Sequence, residues 1–279
     1  CLMFQVVKID LGAHIDGYIA SAAHTVVVGA SAENPVKDRA GDLIAALNCC
    51  QEVAHRLVVN GKSNAEVSAA LRQVAADFEV SLVQGVLSHE MKRYVIDGHK
   101  VILEREEVDQ KVAESTFETY EVYAVDIALS TGEGKPRPSE NRTTVFKRAL
   151  DVTYNLKLKT SRALFQQVTS KFNTLPFTLR ALGDVKKAKA GVVECVKKGL
   201  LTAYPVLVER AGELVAHSKM TVLLMPSGTS KITGIGFPAV PFVTDKSPSE
   251  ATQAILALRA GKKKRKKKKK KKAAAQPAE

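Results

Sequence analysis

The stretch "KIDLGAHIDGYIASAAHTV", Lys8 to Val26, decides the fold of this chain. Apolar residues lead into it at Phe4, Val6 and Val7 and continue through Ile9, Ile15 and Ile19. In its middle stands Asp16-Gly17, a tight-turn signal, because both residue types tolerate the positive φ that such turns require. The pattern predicts strands over residues 4–28, folded as a β-hairpin. The hairpin plants an acid, Asp10, at the end of an apolar strand. Eleven residues on, where a second acid would complete a metal-binding pair, stands Ser21.

Around this stretch the chain has 279 residues, 45% of them hydrophobic and 25% charged, which gives room for one large domain or two modest ones with an ample core. No apolar run is long enough for a transmembrane helix, so no membrane insertion is expected. The chain opens on Cys1, already inside an apparent strand, and reads as an N-terminally trimmed product. The cysteines are Cys1, Cys49, Cys50 and Cys195, with no CxxC pair. That spacing predicts free thiols rather than a zinc knuckle or a disulfide framework.

The net charge of +13 is concentrated in one place. Residues 262–272, "KKKRKKKKKKK", carry eleven positive charges; without them and without Glu279 the remaining body, residues 1–261, has a net charge of +3. The protein is asymmetric rather than basic throughout.

Beyond the hairpin, Leu43, Leu47, Cys50, Ala54 and Leu57 follow helical steps, which predicts a helix opened by Pro35 and stopped at Asn60-Gly61. Ser63 and Glu66 in "SNAE" form a capping-box signature for a second helix, with Val67, Leu71, Val74 and Phe78 as its buried stripe. Short strands are expected over 79–104, and a strand over "YEVYAVDIALSTGEG", Tyr120 to Gly134. Residues 135–142 read as a polar loop. Helices are expected over Ser161–Phe172, Asp184–Leu201 and Ala251–Arg259. "YPVLVER" and "ELVAHSKMTVLLMP" read as a final pair of strands around Ala211-Gly212, followed by a surface wrap rich in Pro, Gly and Ser. "STGEG" has the composition of a phosphate cradle, but glycines at a strand exit read more simply as a turn. Interleaved strands and helices with antiparallel pairs predict an α+β fold. Residues 1–149 and 204–245 would form its core, 150–203 a helical insertion, and 246–279 a linker with a lysine-rich tail.

"KIDLGAHIDGYIASAAHTV", "LSHEMKRYVIDG", "YEVYAVDIALSTGEG", "LPFTLRAL" and "VAHSKMTVLLMP" stand in the order and spacing of the pita-bread fold of the methionine aminopeptidases. The chain resembles their type II branch. Within it, the chain is most similar to the non-catalytic family of proliferation-associated, or ErbB-receptor-binding, proteins. The enzymes of this fold hold two divalent metals with two aspartates, a histidine and two glutamates. The resemblance places Asp10, Ser21, His89, Asp126 and Lys219, in that order, at those five positions. A serine hydroxyl is a poor ligand for a divalent cation at neutral pH. An ammonium has three donors and no lone pair to offer a metal. The resemblance therefore implies a pseudoenzyme with no resident cofactor, and Lys219 is expected to neutralise Asp10 or Asp126 in place of the metals.

The tail residues Lys262, Lys263, Lys264, Arg265, Lys266, Lys267, Lys268, Lys269, Lys270, Lys271 and Lys272 cannot bury a core and repel one another. They suit a polyanion, with salt-dependent affinity. No aromatic residue is interleaved, so base stacking by the tail is not expected. The run also fits a nuclear localisation signal. In the insertion region Arg142, Lys147, Arg148, Lys157, Lys159 and Arg162 meet only one acid, Asp151, and Lys186, Lys187 and Lys189 follow. In the resembled family the insertion faces ribosomal RNA. The implied partners are the ribosome or other structured RNA, with nuclear or signalling proteins besides, in the cytoplasm and the nucleus or nucleolus. The family also carries a leucine-rich coregulator-docking motif, here "AILALRAG", with Arg259 at its final leucine position.

Overall fold

The computed structural model describes residues 5–105, 112–235 and 240–259. The hairpin forms as the turn signal predicts. Strands β1 (Gln5–Ile15) and β2 (Tyr18–Val28) pair antiparallel around Asp16 and Gly17, at φ +50° and +86°. Tyr94 packs directly on Gly17, where an added Cβ would lie 2.5 Å from its ring, so a side chain there is excluded.

Two helices follow, α1 (Asp38–Leu57) and α2 (Asn64–Asp77). The expected face of α1 is buried, with Leu43, Leu47, Cys50 and Ala54 at 2% exposure or less. The helix begins three residues after Pro35, at Asp38. The capping box of α2 is complete: Ser63 Oγ accepts from the Glu66 backbone N–H, and Glu66 Oε2 accepts from that of Ser63. Short strands β3 (Ser81–Leu82), β4 (Leu87–Met91) and β5 (Val101–Leu103) lead to the long central β6 (Val122–Ser130).

A small strand β7 (Arg137–Pro138) then precedes the insertion region. That segment contains sheet as well as helix. Strands β8 (Val145–Arg148), β9 (Phe177–Thr178) and β10 (Leu201–Tyr204) pair in the order β10-β8-β9 beside helices α3 (Lys159–Lys171) and α4 (Val185–Lys197). They enclose a second hydrophobic cluster, with Phe146, Val168, Phe177, Cys195 and Leu200 inside it. Helix α4 ends at Lys197, short of the expected Leu201, because the chain turns through Gly199 at φ +73° into β10.

The chain returns through β11 (Leu207–Val208), β12 (Val215–Met225) and β13 (Gly228–Lys231) and ends its described part in α5 (Glu250–Ala257). The expected strands on either side of Ala211-Gly212 form, but they do not pair with each other. β11 pairs with β7, and β12 lies between β2 and β6. Two carboxylates account for the difference. Glu209 accepts from Ser130 Oγ and the Gly134 N–H, both at 2.9 Å, and Glu213 accepts from Thr131 Oγ1 at 2.6 Å. They fold the 209–213 segment over the "STGEG" exit, whose donors are thereby met from within the chain. The stretch after Met225, expected as surface wrap, instead begins with β13, paired to β12.

The main sheet runs β1-β2-β12-β6-β4-β5, with β13 beside β12 and β3 beside β6. Its registered pairs are antiparallel. Strand alternation assigns the two faces of the sheet. Tyr123, Val125, Ile127 and Leu129 of β6, with Ala216, Met220, Val222 and Leu224 of β12, pack with α1 and α2 in the main core. The alternate residues of both strands face the opposite side, where the candidate site lies. Cys49, Cys50 and Cys195 are buried free thiols. Burial pushes the Cys49 thiol up to about 12 and the Cys50 thiol well above its ordinary value, so both are inert at neutral pH.

Candidate functional site

Register assembles the site. Lys219 of β12 pairs with Asp126 of β6 on one side and Ala23 of β2 on the other, and Ala23 pairs with Asp10 of β1. One row across four strands therefore carries Asp10, Lys219 and Asp126 on a single face. The next row carries Thr221, Ala124 and His89, since Thr221 pairs with Ala124 and Ala124 with His89. Ser21 joins it through Thr221: its backbone N–H donates to Thr221 Oγ1, and its carbonyl accepts from the same hydroxyl, both at 2.9 Å. All five positions named from the sequence thus share one face in two adjacent rows.

Their chemistry is that of an ion-paired cluster. Lys219 Nζ lies 2.8 Å from Asp10 Oδ2 and 3.0 Å from Asp126 Oδ2. Asp126 Oδ1 is taken by His217 Nε2 at 2.5 Å; an ionised carboxylate only accepts, so the ring nitrogen donates. Burial pulls the Asp126 carboxyl up, but the His217 hydrogen bond and the Lys219 charge outweigh it and hold the group below its ordinary value. Burial likewise pulls Lys219 down, and the charge of Asp126 with the Asp10 contacts raises it on balance. Both groups are therefore charged across the neutral range.

His217 was not singled out from the sequence. It stands two residues before Lys219 on the same strand face, so alternation alone could have found it. His89 is half-buried and its Nδ1 has no partner, and Ser21 Oγ is likewise buried without a partner. Among the described residues no three His, Cys, Asp or Glu side chains group as metal ligands.

A dimetal centre does not fit this donor set. It would need the oxygens of Asp10 and Asp126 that Lys219 now occupies, and the ammonium would stand among the cations. Ser21 offers only a neutral hydroxyl at the remaining aspartate position.

The basic residues expected to meet RNA divide into committed and free. Lys157, Lys159 and Arg162 are exposed at the start of α3. Arg162 Nη1 donates to the carbonyls of Leu156 and Lys157 at 2.9 and 2.8 Å, so part of its guanidinium shapes the turn. Glu194 accepts from the backbone N–H groups of Lys157 and Leu158, which satisfies donors at the start of α3. Lys147 pairs with Asp97. Lys186 and Lys189 are exposed, and Lys187, also exposed, pairs with Asp184 at 3.2 Å. The lysine run 262–272 lies outside the described residues.

Comparison with known proteins matches this geometry to a family. The sequence model of Metallopeptidase family M24 matches residues 4–135. The ERBB-3 binding protein 1 of Solanum tuberosum is 51% identical over 230 residues, 82% of this chain and 58% of that protein. Proliferation-associated protein A of Dictyostelium discoideum is 44% identical over 256 residues, 92% of this chain and 66% of that protein. The solved structure of a thermophilic Arx1 matches with a TM-score of 0.83 at 31% identity, covering 92% of this chain and 74% of that one. The chain belongs to the family of the proliferation-associated and ERBB-3-binding proteins. It has the pita-bread fold, and its residues 4–135 carry the match to the M24 model. It spans 58% and 66% of the lengths of the two curated relatives just named. None of the described helices is long and apolar enough to cross a membrane.

Proposed function

We propose that this chain is a non-catalytic, aminopeptidase-like adaptor that binds structured RNA on the ribosome and acts in translation, ribosome biogenesis or growth control. The observation that carries the first half is the Lys219 ammonium, 2.8 and 3.0 Å from the carboxylates that an M24 enzyme would present to metal. An amine so paired can neither bridge two metals nor activate water between them.

The second half rests on charge. Residues 150–203 carry ten Lys or Arg against three Asp or Glu, and the tail adds the run 262–272. Such surfaces gain affinity for nucleic acid by counterion release. Work in both cytoplasm and nucleus is consistent with the tail's second reading as a transport signal. The similarity to the ERBB-3 binding protein 1 of Solanum tuberosum adds an ErbB-3-type signalling protein as a candidate partner.

Two measurements test the reading. The full chain, supplied with divalent metal, should release no methionine from a Met-Ala peptide; turnover with stoichiometric metal would overturn it. Co-sedimentation with ribosomes should weaken steeply with salt and fall further when residues 262–272 are deleted. Ribosome binding indifferent to salt would remove the electrostatic basis of the proposal.

A further inference from the structure

The second hydrophobic cluster is open on one side. Between β8, the segment after it and α3 lies a cavity of about 190 Å³. Leu150, Val152, Tyr154 and Phe165 wall it and Leu200 lines its inner side. Arg148 supplies charge. Its Nη1 donates to Thr169 Oγ1 at 3.2 Å, while its Nε is buried and has no acceptor. A buried donor left unpaired is costly, and an incoming acceptor would relieve that cost. At the rim, the Lys198 ammonium stands 4.8 Å from the centre of the Tyr154 ring.

The occupant can be argued from these features. Flat aromatic walls suit a planar ring. The unpaired guanidinium N–H asks for a carbonyl oxygen or ring nitrogen. A leucine or phenylalanine side chain would fill the walls but leave Arg148 Nε unmet. The excess of seven positive charges over residues 150–203 selects a polyanion as carrier of that ring. Unpaired RNA bases are read in this way, by stacking on aromatic side chains and hydrogen bonding at their edges.

We propose that this cavity receives one unpaired, carbonyl-bearing base, such as uracil or guanine, splayed out from RNA lying on the insertion. Tyr154 and Phe165 contact its ring, and Arg148 Nε donates to its carbonyl. The proposal rests on the RNA-binding reading above and makes one site of it base-dependent. The lysine tail, lacking aromatics, has no such preference.

The test uses the full chain and an RNA hairpin with one bulged uridine, against the same hairpin carrying an abasic bulge, followed by fluorescence anisotropy. The uridine hairpin should bind about tenfold more tightly, the order of effect of one stacked base. Tyr154→Ala should shrink that ratio towards one, and so should Arg148→Lys, which keeps the positive charge but removes the Nε donor. Tyr154→Phe should keep the ratio, and unfolding midpoints confirm that the variants are folded. Equal binding of the two hairpins by the unaltered chain would overturn the pocket and leave the RNA reading standing. Binding of neither would overturn both.

Discussion

Lys219 and Asp126 face each other as a registered pair across two central antiparallel strands, with Nζ 3.0 Å from Oδ2. The ammonium also reaches Asp10, 2.8 Å away on the hairpin that begins the sheet. One lysine thus ties the first strand to the centre of the sheet, over a sequence separation of 209 residues. In an M24 enzyme, two metal ions hold carboxylates together in this place. Here a covalently attached cation does so.

Lys219→Met should therefore destabilise the fold. Asp126 would keep its burial and lose its main counter-charge, and the expected cost is about 2–3 kcal/mol, below the range for fully buried pairs because Asp10 is half exposed. The pH dependence has a defined sign. Asp126 sits below its ordinary value of 3.8, so its contribution is present above that pH and is lost as pH falls through the folded value. Lys219 sits above 10.5, so its contribution is present below that pH and is lost as pH rises through the folded value. The native-minus-variant difference in urea stability should be flat at neutral pH and shrink below about pH 4. A difference that persists undiminished at pH 2.5 would show that the pairing is not its source.

The same geometry predicts how to restore a metal site. Ser21→Asp with Lys219→Glu would return carboxylates to both altered positions, on a face that already holds Asp10, Asp126 and His89. The double variant should bind Mn²⁺ or Co²⁺ by calorimetry and gain thermal stability with metal, by the linkage of ligand binding to folding. Without metal it should be less stable than the native chain, since four carboxylates would face one another. The native chain should show neither effect. A double variant indifferent to metal would mean that the backbone, and not only these side chains, has moved away from the ligand geometry.

Legibility in the sequence followed sequence distance. The hairpin was readable because Asp16-Gly17 and the flanking alternation are local, and so was the capping box at Ser63 and Glu66. Lys219 was readable only through the resemblance, since its partners lie 93 and 209 residues away in the chain. The strands around the 209–213 segment were readable but their separation was not, because Glu209 and Glu213 fold towards the Ser130–Gly134 loop, 75–82 residues earlier. No local pattern marks such a carboxylate as a loop anchor rather than an exposed turn residue. Strands as short as β8 to β10 likewise fall below what periodicity resolves, so the insertion read as helical alone.

Helix α5, which leads towards the lysine tail, is clamped at both ends. Asp77 Oδ2 accepts from the Ser249 N–H, Ser249 Oγ and Thr252 Oγ1 at 3.0, 2.8 and 2.7 Å. Arg56 Nε donates to the carbonyls of Leu256 and Leu258, both at 3.0 Å. Asp77→Ala should release the N-terminal clamp at a cost of about 1–2 kcal/mol. The loss should be local: amide hydrogen exchange across 250–257 should accelerate, while that of β6 and β12 should change little. Unchanged protection in α5 would show that apolar contacts with α1 and α2 alone hold it.

Glu104 is a costly group in the core. It is fully buried, and neither side-chain oxygen has a hydrogen-bond partner. Burial first, and then the charge of Asp126, push its carboxyl well above the ordinary value of 4.5, with only the Ala128 backbone opposing. The unfolded chain therefore releases this proton before the folded chain does, and stability declines as pH rises above about 4.5. Glu104→Met keeps a comparable side-chain length and removes the ionisable group. At pH 7 it should stabilise the protein by about 1–3 kcal/mol, the usual penalty for an unpaired buried polar group. The gain should be smaller at pH 4, where the native carboxyl is neutral in both states, and chemical denaturation at the two pH values measures it. A variant less stable than the native chain at pH 7 would mean that Glu104 has a bonded partner in solution, and that its burial stabilises the core.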